Sequence, residues 1–233
     1  MAYFGKSSQP LFSGDQNICA KQSFYTKTKT VTRRDGRSVE IQQDIPYDGI
    51  KQAQDLIMEV TCLNWAHALL EMVYAFVREW IDNRPAGKFA EIKIPEMRFV
   101  KAGLGIEQAN EGERHCFLLE EVILESEGPF QKYMNNTSAV PFHFADEDDN
   151  DRAAFLAFAQ HVQYFKTKKR AYVADFQGLS EASVDVDACS IHLYLGGANL
   201  LTDPQILTSG CVTAHSQLIL SISFFFFFAH SQV

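Results

Sequence analysis

The sequence predicts an α+β protein that folds into two lobes. Strand-like segments and a long helix are followed by more strands, a second helix and further strands, and this order of elements favours two lobes. The 233 residues, 46% of them hydrophobic, suffice to bury a large core in one domain or in two lobes around a cleft. No internal repeat is present.

Charge and cysteine usage narrow the classes of function. The net charge of −8 disfavours binding to nucleic-acid phosphates. The five cysteines form no Cys-x-x-Cys pair, a pattern typical of reduced thiols in an intracellular, cytoplasmic protein. The first residues lack the basic and apolar regions of a signal peptide. The apolar segment 218–229 is too short to span a bilayer, so no membrane partner is expected.

The N-terminal half predicts strands and then a long helix. Residues 17–25 alternate apolar and polar side chains, which is a strand pattern. The dipeptide Asp35-Gly36 then predicts a hairpin turn between two strands. Over 54–82, apolar residues recur every three or four positions, which predicts an amphipathic helix. His67 lies on this apolar stripe and is interpreted as a hydrogen-bonded core residue.

The second half predicts strands around a shorter helix. Segments 91–103 and 115–124 read as strands. The acidic run 146–151 is expected to be a solvated loop that caps the second helix, because carboxylates favour helix N-termini. This helix is predicted to bury one face, with His161 at its edge; the face consists of Phe155, Phe158, Val162 and Phe165.

The segment RAYVADFQG, residues 170–178, contains a short buried strand that ends abruptly in polar residues. Side chains two apart on a strand share a face, so Asp175 and Gln177 are expected to present oxygens together. Gly178 is expected to let the chain turn away. Asp203 ends a second apolar piece, and such an oxygen set suits Mg²⁺, which leaves room for phosphate oxygens. An ordinary polar strand end is the alternative.

Charged residues on two other predicted strands fit the same chemistry. Lys21 supplies a point charge for phosphates, and Glu120 and Glu121 end a strand. Phosphoryl transfer needs positioning and charge neutralisation, which these residue types provide. A snorkelling surface lysine and a solvated edge-strand glutamate are the alternatives. The chain contains no GxxxxGK[ST], HRD or DFG motif, which argues against P-loop enzymes and ordinary protein kinases.

Five segments, in this order, resemble the α-type protein kinases, the atypical family of the myosin heavy chain kinases and the elongation-factor kinase. They read CAKQSFY, FLLEEVILESEGPFQKYMNN, FAQHVQYF, VADFQG and LLTDPQILT. Their sequences resemble those of fungal members most. The resemblance covers roughly residues 3–208. It implies a bilobal protein-kinase-like fold with ATP in the cleft. It also implies a serine/threonine kinase that transfers the ATP γ-phosphate to protein substrates.

The resemblance assigns roles to individual residues. By motif match, Lys21 corresponds to the family's ATP-phosphate lysine and Glu120 to its hinge acid, which contacts the nucleotide. The hinge piece reads EEV here, where the family has a Glu-Pro-Tyr-like piece. Asp175 corresponds to the catalytic aspartate. Gln177 and Asp203 correspond to the magnesium ligands.

Two segments depart from the family pattern. The resemblance implies an N-terminal lobe over 1–119, and a hinge and C-terminal lobe over 120–208. An insertion, 179–197, separates the two magnesium motifs and is expected to loosen the tie between them. The tail 209–233 replaces the family's glycine-rich loop and zinc ligands, so the C-terminal lobe is expected to be incomplete. Our hypothesis is that both segments are translated intron or a misplaced gene end.

The departures bear on a structural zinc and on activity. His161 corresponds to one ligand of the family's zinc, and the tail offers Cys211 and His215, but two such ligands do not make a zinc site. We therefore expect an incomplete ligand set and a poorly stable, catalytically weak chain. The alternative function is a catalytically inactive or truncated α-kinase-like module that binds nucleotide or a partner. A purely structural interaction domain is the third possibility.

Overall fold

The computed structural model describes residues 1–12, 16–83, 94–108, 114–123, 128–179 and 199–208. These residues contain twelve strands and two α-helices, which confirms the predicted α+β class. They divide into two units, of which the first comprises Met1–Thr61 and Lys101–Val122. The second unit comprises Cys62–Val100 and the described residues after Val122. The first unit is thus discontinuous in sequence, and the predicted lobe boundaries stay predictions.

The elements follow one another along the chain with these bounds. The helices are α1 (Gly49–Asp82) and α2 (Glu147–Lys166). The strands are β1 (Ala2–Lys6), β2 (Asn17–Lys21), β3 (Phe24–Thr32), β4 (Ser38–Pro46), β5 (Met97–Phe99), β6 (Ala102–Ile106), β7 (Cys116–Glu121), β8 (Phe130–Lys132), β9 (Ala171–Ala174), β10 (Gln177–Leu179), β11 (Asn199–Thr202) and β12 (Gln205–Thr208).

The first unit contains an antiparallel sheet with the strand order β1-β2-β7-β6. The inward side chains of β7, Cys116 and Leu118, pack against Leu56 of α1. The buried amide of Gln52 bridges α1 to this sheet: its Nε2 donates to the Tyr47 carbonyl at 2.6 Å, and its Oε1 accepts from the Cys116 N–H at 2.8 Å. The start of α1 is therefore fixed by hydrogen bonds as well as by apolar contacts.

Helix α1 begins five residues earlier than the predicted start at Gln54, at Gly49. The carboxylate of Asp48 accepts a hydrogen bond from the Lys51 N–H at 2.9 Å and so caps the first turn. The predicted hydrogen bond of His67 is present, since a ring nitrogen lies 3.2 Å from the Val100 carbonyl oxygen, although the side chain is only partly buried. Most of the predicted apolar stripe is buried, namely Leu56, Leu63, Leu70 and Val77, whereas Ile81 is exposed.

By length and apolar composition, α1 would be able to cross a membrane, since an 18-residue window within it has a mean hydropathy of 1.3. One such helix is weak evidence, because core helices of soluble proteins share these properties. The expected absence of a membrane partner therefore stays a prediction.

Helix α2 begins at the acidic run 146–151, as predicted. The carboxylate of Asp146 is the N-cap and accepts a hydrogen bond from the Asp149 N–H at 3.1 Å. The expectation that the whole run is solvated is wrong for Asp149. Its side chain is buried and forms a 2.8 Å ion pair with Arg152, one turn further along the helix.

The prediction that Phe165 lies on the buried face of α2 is wrong, because its side chain is 71% exposed. The buried face is centred on Leu156 and Gln163, which lie about 180° around the helix from Phe165 at 100° per residue. Phe155 and Val162 lie on the near edge of that face and are buried as predicted. The polar residue Gln163 shifts the face away from the position that apolar spacing alone indicates.

Two glutamines of α2 hold the backbone of Val173 in β9. Gln160 Nε2 donates to the Val173 carbonyl at 2.8 Å, and Gln163 Oε1 accepts from the Val173 N–H at 2.8 Å. Among the described strands, β9 pairs with β12 alone. Its second edge is buried, and these two amides supply the partners that a neighbouring strand would otherwise provide. We call Gln160 and Gln163 the glutamine clamp.

The second unit also contains a sheet with the strand order β5-β11-β10-β8. The expectation that Gly178 turns the chain away is wrong, because Gly178 lies within β10. A Cβ atom at this position would fall 1.8 Å from the Leu200 carbonyl oxygen of β11. Glycine is required here for the close approach of two strands.

The assigned face of α2 can be tested with two alanine substitutions. Phe155→Ala is expected to lower the free energy of unfolding by about 3–5 kcal/mol, because the ring is buried and stacks on Tyr74 at 5.4 Å. Phe165→Ala in the same helix is the control and is expected to change the free energy of unfolding by less than about 0.5 kcal/mol. Urea denaturation measures both, and equal losses would contradict the assignment.

The glutamine clamp can be tested with Gln163→Met, which keeps the length of the side chain but removes the acceptor. The Val173 N–H is then buried without its partner, and we expect a loss of about 1–3 kcal/mol in the free energy of unfolding. Gln42→Met, on an exposed strand position, is the control. If both variants unfold at the parent's urea midpoint, the clamp has no role in stability.

Candidate functional site

Five polar side chains gather where the strands of the second unit end. Lys132 is the last residue of β8, Asp175 follows β9, and Gln177 opens β10. Asp203 follows β11 and Gln205 opens β12. We call these five residues the strand-end cluster. The structure thus brings the three residues predicted for catalysis and magnesium binding, Asp175, Gln177 and Asp203, into one region.

The carboxylate of Asp175 is held by side chains from two other strands. Its Oδ1 lies 2.8 Å from the Lys132 ammonium, and its Oδ2 accepts a hydrogen bond from Gln205 Nε2 at 3.4 Å. Gln205 is itself fixed, because its Oε1 accepts from Asn136 Nδ2 at 2.9 Å. One carboxylate oxygen is therefore ion-paired and the other hydrogen-bonded, while the side chain stays 13% exposed.

Both aspartates of the cluster adopt left-handed backbone conformations, with φ of 59° at Asp175 and 47° at Asp203. Such conformations cost energy for residues other than glycine, although aspartate tolerates them better than most. They occur here where each strand stops and the chain turns. The strain agrees with a local conformation selected for the placement of the carboxylates.

Gln177 and Asp203 lie side by side, with Gln177 Nε2 3.5 Å from Asp203 Oδ2. The antiparallel pairing of β10 with β11 places Gln177 opposite Thr202, the residue before Asp203. The expected loosening of this tie by the insertion 179–197 stays a prediction. Rotation of the amide would direct Oε1 to the same point, so the pair can offer two oxygens to a cation.

Lys132 and Gln205 were not singled out by the sequence analysis. Both lie inside segments that carry the resemblance, in FQKY and TDPQI, but nothing in either segment shows a contact with Asp175. The contact depends on strand pairing, because the register of β8 with β10 places Lys132 opposite Gln177. The signal available in the sequence was therefore the presence of a basic and an amide residue within those motifs.

Lys21 and Glu120 lie on neighbouring strands of the first unit. The Lys21 ammonium is 2.7 Å from Glu120 Oε2, and the Glu120 side chain is almost completely buried. The alternative of a solvated glutamate is therefore wrong. Cys19 pairs with Glu120 and Lys21 with Leu118, so Lys21 and Glu120 are diagonal neighbours on one face of the sheet.

A cavity of about 460 Å³ lies beside Lys21 in the first unit. Its walls combine an aromatic ring, apolar side chains and carboxylates, among them Tyr47, Leu56, Asp55 and Glu59. The volume lies within the range of small-molecule sites. Neither Glu120 nor any residue of the strand-end cluster lines it.

The described residues contain no group of three or more His, Cys, Asp or Glu side chains that could hold a metal. His161 is partly buried, and this burial lowers the pKa of its imidazole below the usual value. The tail residues Cys211 and His215 lie outside the described residues, so the expected zinc set stays a prediction. Of the cysteines that the structure describes, Cys19 and Cys116 are buried and Cys62 is partly buried, and the expected reduced state of the thiols stays a prediction.

The sequence pattern of the alpha-kinase family matches residues 12–230. The match includes the insertion 179–197 and most of the tail 209–233, which we expected to depart from the family. The hypothesis that both segments are translated intron or a misplaced gene end stays a prediction. None of the curated proteins compared with the chain matches it. Because the family pattern covers almost the whole sequence, the chain belongs to the alpha-kinase family.

Proposed function

We propose that the protein is a serine/threonine kinase that transfers the γ-phosphate of ATP to protein substrates. Membership of a kinase family supports kinase activity, a kinase-like fold, and the use of ATP and Mg²⁺. The observation that carries the finer proposal is the strand-end cluster. In it, a catalytic candidate, Asp175, is oriented by Lys132 at 2.8 Å, close to an amide and carboxylate pair suited to a metal.

In this proposal, Asp175 accepts the proton of the attacking substrate hydroxyl. A carboxylate acts as a base most effectively when it is well positioned, and Asp175 is ion-paired to Lys132 through one oxygen and hydrogen-bonded to Gln205 through the other. Lys132 has a second task, because its side chain is 43% exposed and its positive charge is available to the transferred phosphoryl group. Positioning and charge neutralisation are the main requirements of phosphoryl transfer.

The donor set of Gln177 and Asp203 fits Mg²⁺. This ion commonly binds one or two protein oxygens and takes its remaining ligands from water and phosphates. Gln177 and Asp203 would hold the ion, which neutralises phosphate charge when bound. For a structural zinc, the described residues offer only His161 among the predicted ligands, and one imidazole does not make a zinc site.

Lys21 is proposed to bind a phosphate group of ATP through its ammonium. The family correspondence assigns Glu120 to the nucleotide as a hinge acid, and the chain leaves the first unit shortly after it, at Val122. The 2.7 Å ion pair adds a second task for Glu120, namely orientation of the Lys21 ammonium. Because Glu120 is buried, this pair is weakly screened by solvent.

The catalytic role of Asp175 can be tested with Asp175→Asn. We expect transfer of radiolabelled γ-phosphate to a basic test protein to fall about 10²–10⁴-fold, while the circular dichroism spectrum stays unchanged. Asp151→Asn on the exposed side of α2 is the control and should keep parental activity. Activity within a few-fold of the parent in Asp175→Asn would refute the role. A parent chain that binds ATP without transferring phosphate would instead support the inactive module.

The role of Lys21 can be tested by measuring ATP affinity in Lys21→Ala. Loss of a charge-assisted phosphate contact is expected to weaken binding about ten- to a hundredfold. Lys6→Ala, at an exposed position of β1 in the same sheet, is the control and should bind ATP like the parent. The double variant Lys21→Met/Glu120→Gln removes both charges of the buried pair. Compared with Lys21→Ala, the double variant should be more stable but should bind ATP no more tightly, which separates binding from folding. Unchanged ATP affinity in Lys21→Ala would show that Lys21 does not bind ATP.

A further inference from the structure

Strands β3 and β4 form a long hairpin that no other described strand joins. Nine residue pairs connect them, from Phe24 opposite Pro46 to Thr32 opposite Ser38. Every residue of β3 is exposed, and most of β4 is exposed as well. A two-stranded hairpin is only marginally stable in water, and a third strand is the usual remedy. Within the part of the chain that the structure describes, the outer edge of β3 thus pairs with no strand.

The two faces of the hairpin differ in charge. Residues directly opposite each other share a face, and faces alternate along each strand. One face, which we call the basic face, carries Lys27 and Lys29 and no carboxylate; its other members are Tyr25, Val31, Val39, Ile41, Gln43 and Ile45. The opposite face carries both carboxylates of the two strands, Glu40 and Asp44, and Thr26 donates to Asp44 at 2.8 Å.

The basic face combines its charges with exposed apolar surface. Tyr25 is 41% exposed, Val31 36% and Ile41 49%. The loop that joins the strands adds three arginines, Arg33, Arg34 and Arg37, against a single aspartate. This concentration of positive charge is unusual in a chain with a net charge of −8, and it favours an acidic partner.

The outer edge of β3 is suited to pairing with another chain. Its nine residues include neither proline nor glycine, so all of their backbone groups can form a regular ladder. Threonines alternate with the two lysines, and β-branched residues favour extended structure. An unpaired edge of this length is a ready template for strand addition.

The charges of Lys27 and Lys29 favour an acidic strand at the outer edge of β3. Two copies of β3 side by side would bring lysines close to one another, and like charges across strands are destabilising. A strand with carboxylates at every second position would instead form opposite-charge pairs, each contributing about 0.2–1 kcal/mol. An anionic membrane is a poorer fit, because the rest of this acidic chain would be repelled by it.

We propose that the outer edge of β3 binds an extended acidic segment of a partner protein as an added strand. Carboxylates at alternate positions of that segment pair with Lys27 and Lys29 on the basic face, and its main chain pairs with β3. The intervening apolar side chains lie against the threonines on the opposite face. This interaction is independent of the proposed kinase activity.

The test measures binding of the full chain to a fluorescent ten-residue peptide of alternating aspartate and valine, by anisotropy. Lys27→Glu/Lys29→Glu is expected to weaken binding at least about tenfold, because attraction becomes repulsion. The control, Lys6→Glu/Lys51→Glu, makes the same change in net charge outside the hairpin and should bind like the parent. A peptide of alternating lysine and valine should bind the Lys27→Glu/Lys29→Glu variant better than the parent.

Strand addition is distinguished from charge attraction by N-methylated peptides. Methylation of alternate amides in one register removes the donors that face β3 and should abolish binding, whereas methylation in the other register should not. Equal binding of both methylated peptides would overturn strand addition. The proposal would also be overturned by lysine-dependent binding to phosphatidylserine vesicles without peptide binding, or by self-association that the Lys27→Glu/Lys29→Glu substitutions remove.

Discussion

The buried backbone of β9 is the constraint on which the candidate site depends. This strand pairs with β12 on one edge and lies against α2 on the other, where none of the described strands supplies hydrogen bonds. The glutamine clamp meets the requirement by presenting an amide oxygen and an amide nitrogen to Val173. Because Val173 is two residues from Asp175, the packing of α2 against β9 also determines where Asp175 lies.

The strand-end cluster of the second unit forms because the ends of several strands lie close together. Pairing of β10 with both β8 and β11 sets Lys132 and Thr202 opposite Gln177, and pairing of β12 with β9 sets Gln205 opposite Ala174. Each register therefore delivers one polar side chain to the same region. A site assembled in this way is as rigid as the sheets beneath it, which suits a reaction that depends on positioning.

The first unit contributes charges of a different kind. Lys21 and Glu120 form an ion pair in which the carboxylate is buried, so replacement of one member leaves the other poorly solvated. The two strands of the hairpin carry their charges on exposed side chains and separate them between two faces. Buried charges in this unit thus fit a defined ligand contact, whereas exposed charges fit recognition of another chain.

The sequence by itself determined the α+β class, the Asp35-Gly36 turn, the N-cap at the acidic run, the hydrogen-bonded state of His67 and the family. These features depend on local conformation, on the periodicity of hydrophobic residues or on sequence motifs. Only the tertiary structure decided that Phe165 is exposed, that Gly178 permits a close strand approach and that Lys132 contacts Asp175. Each of these depends on strand register or on which helix face meets a sheet, and such contacts between distant segments leave no local pattern in the chain.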